Sequence, residues 1–119
     1  MGNPFCHMEL TTSNLEGARE FYSKVFDWQL NDVPGAPTPY ILIDTGSDPE
    51  GGMMGIPEPG VPTAWLAYID VDDVDACCAK ITENGGKVWK GPEDVPGFGR
   101  FAVVCDPQGA YFGLWKTFR

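Results

Sequence analysis

The chain has 119 residues, 43% of them hydrophobic and 13% aromatic, enough apolar material to close the core of one domain. Eight Lys and Arg against 17 Asp and Glu leave a net charge of −9, which repels nucleic-acid phosphates and anionic lipid and so argues against nucleic acid and membrane as partners. No apolar run reaches the roughly 20 residues of a membrane span, and the opening Met1-Gly2-Asn3-Pro4 lacks a basic region followed by an apolar stretch, so a cytoplasmic location is expected. The four cysteines, Cys6, Cys77, Cys78 and Cys105, show no C-x-x-C spacing; they read as reduced thiols rather than a zinc site or disulfides.

Residues Phe5 to Thr11 alternate as a strand does, with Cys6, Met8 and Leu10 on the core face and Phe5, His7, Glu9 and Thr11 on the other. Ser13-Asn14-Leu15-Glu16 has the S-x-x-E form of a capping box. It predicts a helix from about Asn14 to Phe26, with Leu15, Ala18, Tyr22 and Val25 as its inner stripe. Short strands are expected at Trp28 to Leu30, Tyr40 to Asp44 and about Gly52 to Ile56, separated by turns such as Ser47-Asp48-Pro49-Glu50-Gly51. Pro57-Glu58-Pro59-Gly60-Val61-Pro62 suits neither a helix nor a central strand and reads as a linker.

The pattern then restarts. A strand is expected at Ala64 to Val71 and a helix at about Asp73 to Glu83, built on Val74, Cys77, Cys78 and Ile81 and closed by Asn84-Gly85-Gly86. Strands follow at Lys87 to Lys90, Phe101 to Cys105 and Ala110 to Lys116, the last two joined by the turn Asp106-Pro107-Gln108-Gly109. Setting Asn14 over Asp73, an offset of 59, superposes the halves as two β-α-β-β-β modules. One such module leaves a half-apolar sheet that is marginal alone, so the modules should pack around a concave groove. The expected class is α+β: one domain over 1–119, with module one at about 3–56, the linker at 57–63 and module two at 64–117.

Chemistry-bearing residues are few. Gly97-Phe98-Gly99 lacks the third glycine of a phosphate cradle, and Asp70-Val71-Asp72-Asp73-Val74-Asp75 puts Val74 and Asp75 where a calcium loop needs an oxygen ligand and glycine. Capping of the second helix accounts for that acidic run. The one histidine, His7, shares a strand face with Glu9. The pair is the candidate catalytic set, Glu9 as a general base whose pKa burial would raise, His7 as a proton-transfer or lining residue.

The run from His7 through Asn14-Leu15-Glu16-Gly17-Ala18-Arg19-Glu20-Phe21-Tyr22 to Trp28 resembles the opening module of the vicinal oxygen chelate superfamily, the group of glyoxalase I, bleomycin-resistance proteins and extradiol dioxygenases. Gly99 to Trp115 is similar to the close of the second module. The resemblance implies two tandem βαβββ modules forming a curved mixed sheet around a groove, and commonly a homodimer. In the metal-dependent members four ligands come from the first and last strands of each module. Here they fall on His7, on Met53 or Met54, on Leu66 and on Gly113, so His7 is the one surviving donor. Thioether, leucine and glycine suit none of the metals these enzymes use, so no metal and no other cofactor is expected, and true glyoxalase I or extradiol dioxygenase chemistry is not.

The remaining groove lining is expected to be Met53 or Met54, Leu66, Tyr68, Tyr111 and Trp115, with Phe98 and Arg100 covering the opening. The expected function is the binding of a small apolar or aromatic metabolite, with any lyase- or isomerase-like catalysis running without metal through Glu9 or His7. Two alternatives are sequestration of a cationic or aromatic antibiotic, and a metal-dependent lyase or dioxygenase with a degenerate site.

Overall fold

The two β-α-β-β-β runs are present in the computed structural model, which describes residues 2–36, 38–47, 50–57 and 59–118. The first comprises β1 (Phe5–Thr12), α1 (Leu15–Val25), β2 (Gln29–Asp32), β3 (Tyr40–Asp44) and β4 (Glu50–Gly55). The second comprises β5 (Ala64–Asp70), α2 (Val74–Glu83), β6 (Lys87–Val95), β7 (Gly99–Cys105) and β8 (Tyr111–Thr117). The first four strands are ordered β2-β3-β4-β1 and the second four β5-β8-β7-β6. In each run the first and last strands pair in parallel and the others antiparallel. This is the expected α+β class. Of the described helices, none is long and apolar enough to cross a membrane.

Two compact units result: His7–Leu66, and a second that joins the first six residues to everything from Ala67 on. Asn3 and Pro4 bind the second unit through Asn3 Nδ2 to the Asp70 carbonyl (3.0 Å) and Asp70 N–H to the Pro4 carbonyl (2.9 Å). In the first unit Leu10, Ile41, Ile43 and Met53 are buried beneath Leu15, Ala18 and Tyr22 of α1, with Trp28 and Leu30 at the edge. In the second, Val74, Cys78 and Ile81 of α2 pack on Ala102, Val104 and Leu114.

Local rules explain most boundaries. Asn14, not Ser13, caps α1: its Oδ1 accepts from Gly17 N–H at 2.9 Å, and a Cβ at Gly17 would overlap the Asn14 amide. Ser13 N–H instead donates to Thr63 Oγ1. Val25, expected on the inner stripe, is 52% exposed, because the helix ends there and Trp28 stacks on Tyr22 in its place (5.5 Å, 14°). The second helix ends as expected. Gly85, at φ +93, donates to Thr82 and Gly86 donates to Ile81, the paired bonds of a Schellman cap. The Asp106–Gly109 turn closes with Gly109 N–H on the Asp106 carbonyl at 3.0 Å.

β6 runs five residues beyond its expected end at Lys90. It is the outer strand of its unit, where register shifts between Val88 and Glu93 let Pro92 sit without a missing ladder donor. Of the expected turns and linker, Asp48, Pro49 and Glu58 lie outside the described residues; Pro57 and 59–63 form neither helix nor strand.

Candidate functional site

In β1 the burial of Leu10 under α1 turns His7, Glu9 and Thr11 to the face of the sheet away from the helix. In β3, Ile41 and Ile43 are each 1% exposed beneath α1, so Tyr40 and Leu42 go to that same outer face. Register then sets Glu9 beside Gly52 and Tyr40 across from Met54. The Tyr40 side chain crosses β4 to reach β1: its hydroxyl donates to Glu9 Oε1 at 2.9 Å and meets His7 Nε2 at 2.8 Å. It crosses at Gly52, where a Cβ would overlap the phenol. Glycine in the middle of a strand is here the slot for another residue's ring.

A phenol has one proton to give. With that proton on Glu9, Nε2 of His7 is the donor to the hydroxyl oxygen, giving the ordered row His7 to Tyr40 to Glu9. Burial lowers the His7 pKa from its usual 6.5, so the imidazole is neutral near pH 7, which suits a hydrogen-bonding rather than a charged role. The row can take a proton from a bound molecule at the phenol oxygen and pass one to the Glu9 carboxylate.

Other expected site residues divide between the units. Met54 lies on the His7–Glu9 face, as the register requires. Met53 does not: it is fully buried at 0% exposure in the core under α1, which removes it from the groove lining. Thr11 Oγ1 donates to the Pro62 carbonyl at 3.0 Å. Leu66, half-buried, is the last residue of the first unit.

In the second unit Tyr68 is 6% exposed, its ring seated where a Cβ at Gly113 would be. Trp115 lies likewise over Gly99, its indole N–H on Thr117 Oγ1 at 2.8 Å. Tyr111 is 53% exposed and meets Trp89 edge to face at 6.4 Å. Phe98, 57% exposed, sits at the tip of the β6–β7 hairpin. Arg100 departs from its expected place over the opening. It shares a face with Ala102 and Val104, toward α2, and its guanidinium holds Asp75 of that helix (2.9 and 3.2 Å) and Asp94 (2.8 Å).

Tyr40 and Gly52 were missed in the sequence as functional residues. Alternation within Tyr-Ile-Leu-Ile-Asp already put Tyr40 opposite the two isoleucines; what no local pattern gave was a ring reaching across an intervening strand.

The donor set does not fit the metal of the metal-dependent members. The chain has one histidine, the Met53 thioether is sealed in the core, and Gly113 lends its space to Tyr68. Among the described residues, no three His, Cys, Asp or Glu side chains are grouped to hold an ion.

Residues 5–114 match the family described as glyoxalase/bleomycin resistance protein/dioxygenase superfamily. CFP32 of Mycobacterium tuberculosis (strain CDC 1551 / Oshkosh), named for a glyoxylase, is 41% identical over 109 residues, 91% of this chain and 42% of that protein. The anthracycline biosynthesis protein DnrV of Streptomyces peucetius is 32% identical over 124 residues, 91% of this chain and 45% of that one. The chain thus spans less than half the length of these curated relatives. Methylmalonyl-CoA epimerase from Mycobacterium tuberculosis shares the fold, with a TM-score of 0.64 at 16% identity over 97% of this chain and 88% of that one.

Proposed function

This chain belongs to the glyoxalase/bleomycin resistance protein/dioxygenase superfamily, and on that premise we propose that it binds a small apolar or aromatic, oxygen-bearing metabolite at the His7–Tyr40–Glu9 face, without a metal. The Tyr40 hydroxyl held between His7 Nε2 and Glu9 Oε1 is the observation that carries this reading. An enol or phenol O–H of the ligand donates to the Tyr40 oxygen, whose own proton is held by Glu9. Where the ligand has an acidic C–H or O–H, Glu9 is the general base and His7 orients the phenol. A relative in anthracycline biosynthesis favours a planar aromatic ligand.

The working form in this reading is a cytoplasmic homodimer. In each unit the outer strand, β2 or β6, leaves an edge to protect, and a second copy can cover it. Light scattering at micromolar concentration should report about twice the 13.0 kDa of one chain; a single-chain mass removes the dimer without touching the site.

The site is tested by thermal shift and titration with a hydroxylated anthraquinone. Wild type should be stabilised by the probe, and Glu9→Gln should keep the fold while weakening binding by about 1–3 kcal/mol, the size of a charged hydrogen bond. His7→Ala should cost less. Unchanged binding in Glu9→Gln, together with its loss in His7→Ala and about one Zn, Ni, Fe or Mn per chain by elemental analysis, would return the site to a metal-centred one.

A further inference from the structure

The helix side of the first unit carries an exposed aromatic patch that the His7–Tyr40–Glu9 row does not use. On α1, Phe21 is 58% exposed and Val25 52%; Phe26 at the helix end is 47% exposed and Trp65 of β5 39%. Ring contacts join them. Phe21 meets Tyr22 edge to face at 5.0 Å, Phe26 stacks on Trp28 at 4.9 Å, and Trp65 meets both Tyr22 (5.5 Å) and Trp28 (6.2 Å). Since a Phe or Trp side chain offers about 150–250 Å², these residues leave on the order of 400 Å² of apolar surface in water. That lies within the roughly 300–600 Å² of the largest patch on a monomer, which is often a functional one.

Beside the patch lies a hollow of about 230 Å³, with Met8, Ile43 and Gly51 as its floor and Trp28 and Trp65 as its walls. Its rim offers little to a polar ligand: the Thr45 hydroxyl is turned to the Ser47 carbonyl at 3.0 Å, and Glu50, in register with His7, projects to the opposite face. The hollow is smaller than the roughly 300–1,000 Å³ of pockets for drug-sized ligands and larger than the ~150 Å³ apolar cavity that holds one benzene, so it suits a single aromatic side chain. Charge selects a second copy of this chain to supply it. Against a net charge of −9, α1 is neutral: Arg19 lies 3.4 Å from Glu16 and Lys24 3.7 Å from Glu20. Asp27 is the one charged residue between the helix and Trp28. Two acidic chains repel least where they meet through a neutral face, whereas a basic partner is drawn to the acidic remainder of the surface.

We propose that this face is where two copies of the chain dock about a two-fold axis, the Phe21 ring of each entering the Trp28–Trp65 hollow of the other. The inference rests on the homodimer reading above and assigns its surface. An isologous contact counts twice. A standard interface takes about 800 Å² from each partner, a little over half of it apolar, so the patch and the hollow together supply most of the apolar core of one side. Trp28 immediately precedes β2, so the docked copy also lies beside the start of that outer strand.

The test is sedimentation velocity on the full chain at micromolar concentration, read beside fluorine NMR of protein labelled with fluorotryptophan. Wild type should sediment at twice the 13.0 kDa of one chain. Phe21→Glu, at an exposed helix position, should keep native circular dichroism and sediment as one chain. Its self-association should weaken roughly hundredfold, because each dimer loses two buried rings and would have to bury two charges. Phe21→Ala should weaken self-association about tenfold, and it decides should Phe21→Glu fail to fold. Phe118→Glu, at an aromatic 45% exposed in the second unit, should leave the dimer intact. Between wild type and Phe21→Glu the Trp28 and Trp65 fluorine signals should shift while those of Trp89 and Trp115 stay. A single-chain mass for wild type removes the dimer and this surface together and leaves the Tyr40 site standing. Wild-type dimerisation in both Phe21 variants, unmoved Trp28 and Trp65 signals, or dissociation by Phe118→Glu would remove this surface while the dimer stands.

Discussion

Glycine serves both units by making room for a ring, and what the ring does there separates them. In the first unit Gly52 lets Tyr40 cross to a histidine and a carboxylate. In the second, Gly113 admits a Tyr68 ring that ends 6% exposed, and Gly99 lies beneath Trp115. At the offset of 59, His7 and Glu9 correspond to Leu66 and Tyr68, so the repeat keeps its backbone and exchanges polar groups for packing. A duplicated module is thus free to place chemistry in one copy and stability in the other, because the sheet needs only one face of each strand for its core.

The largest effect should come from Met53→Ala, which empties a fully buried position of the first core and should cost about 2–5 kcal/mol. Met54→Ala, one residue on and on the opposite face, should cost far less; chemical denaturation of the two variants measures the contrast. Gly113→Ala should follow at about 1–3 kcal/mol, since its methyl meets ring carbons of a buried tyrosine that has nowhere to go. Gly52→Ala meets the far end of a half-buried side chain and should cost less stability while displacing the Tyr40 hydroxyl and lowering probe affinity. Equal unfolding losses and equal affinity in the two glycine variants would erase the division drawn between the units.

Tyr40→Phe removes a hydroxyl bonded on both sides. It should lower stability by about 1 kcal/mol and weaken anthraquinone binding as much as Glu9→Gln does, because either change breaks the row. A smaller effect concerns pH. Burial depresses the His7 pKa below 6.5, so as pH falls through 6.5 the unfolded chain takes up a proton that the folded one resists, and stability is lost on the acid side. The fall in Tm between about pH 7.5 and 5.5 should be shallower in His7→Gln than in wild type. Arg100→Ala should have the smallest effect on function: its guanidinium is committed to Asp75 and Asp94 on the α2 side, so probe affinity should not change, and a loss would restore Arg100 to the binding site.

The sequence by itself carried the element order, both helices and the repeat, since these rest on short-range rules: alternation along Phe5 to Thr11, an N-cap beside Leu15, glycines after Asn84, an Asp-Pro-Gln-Gly turn. It also put His7 and Glu9 on one strand face, because period-two alternation along a strand needs no knowledge of its neighbours. Its misses lie where a side chain answers to a neighbour distant in the chain. Whether Met53 or Met54 faced the core depended on where β4 begins, which only pairing with β1 and β3 decides. Arg100 went to the α2 side because that face of β7 is the one its strand shares with Ala102 and Val104. Tyr40 became the centre of the candidate site because tertiary structure brought residues 31 and 33 positions apart within hydrogen-bond reach, across a strand whose glycine left the path open.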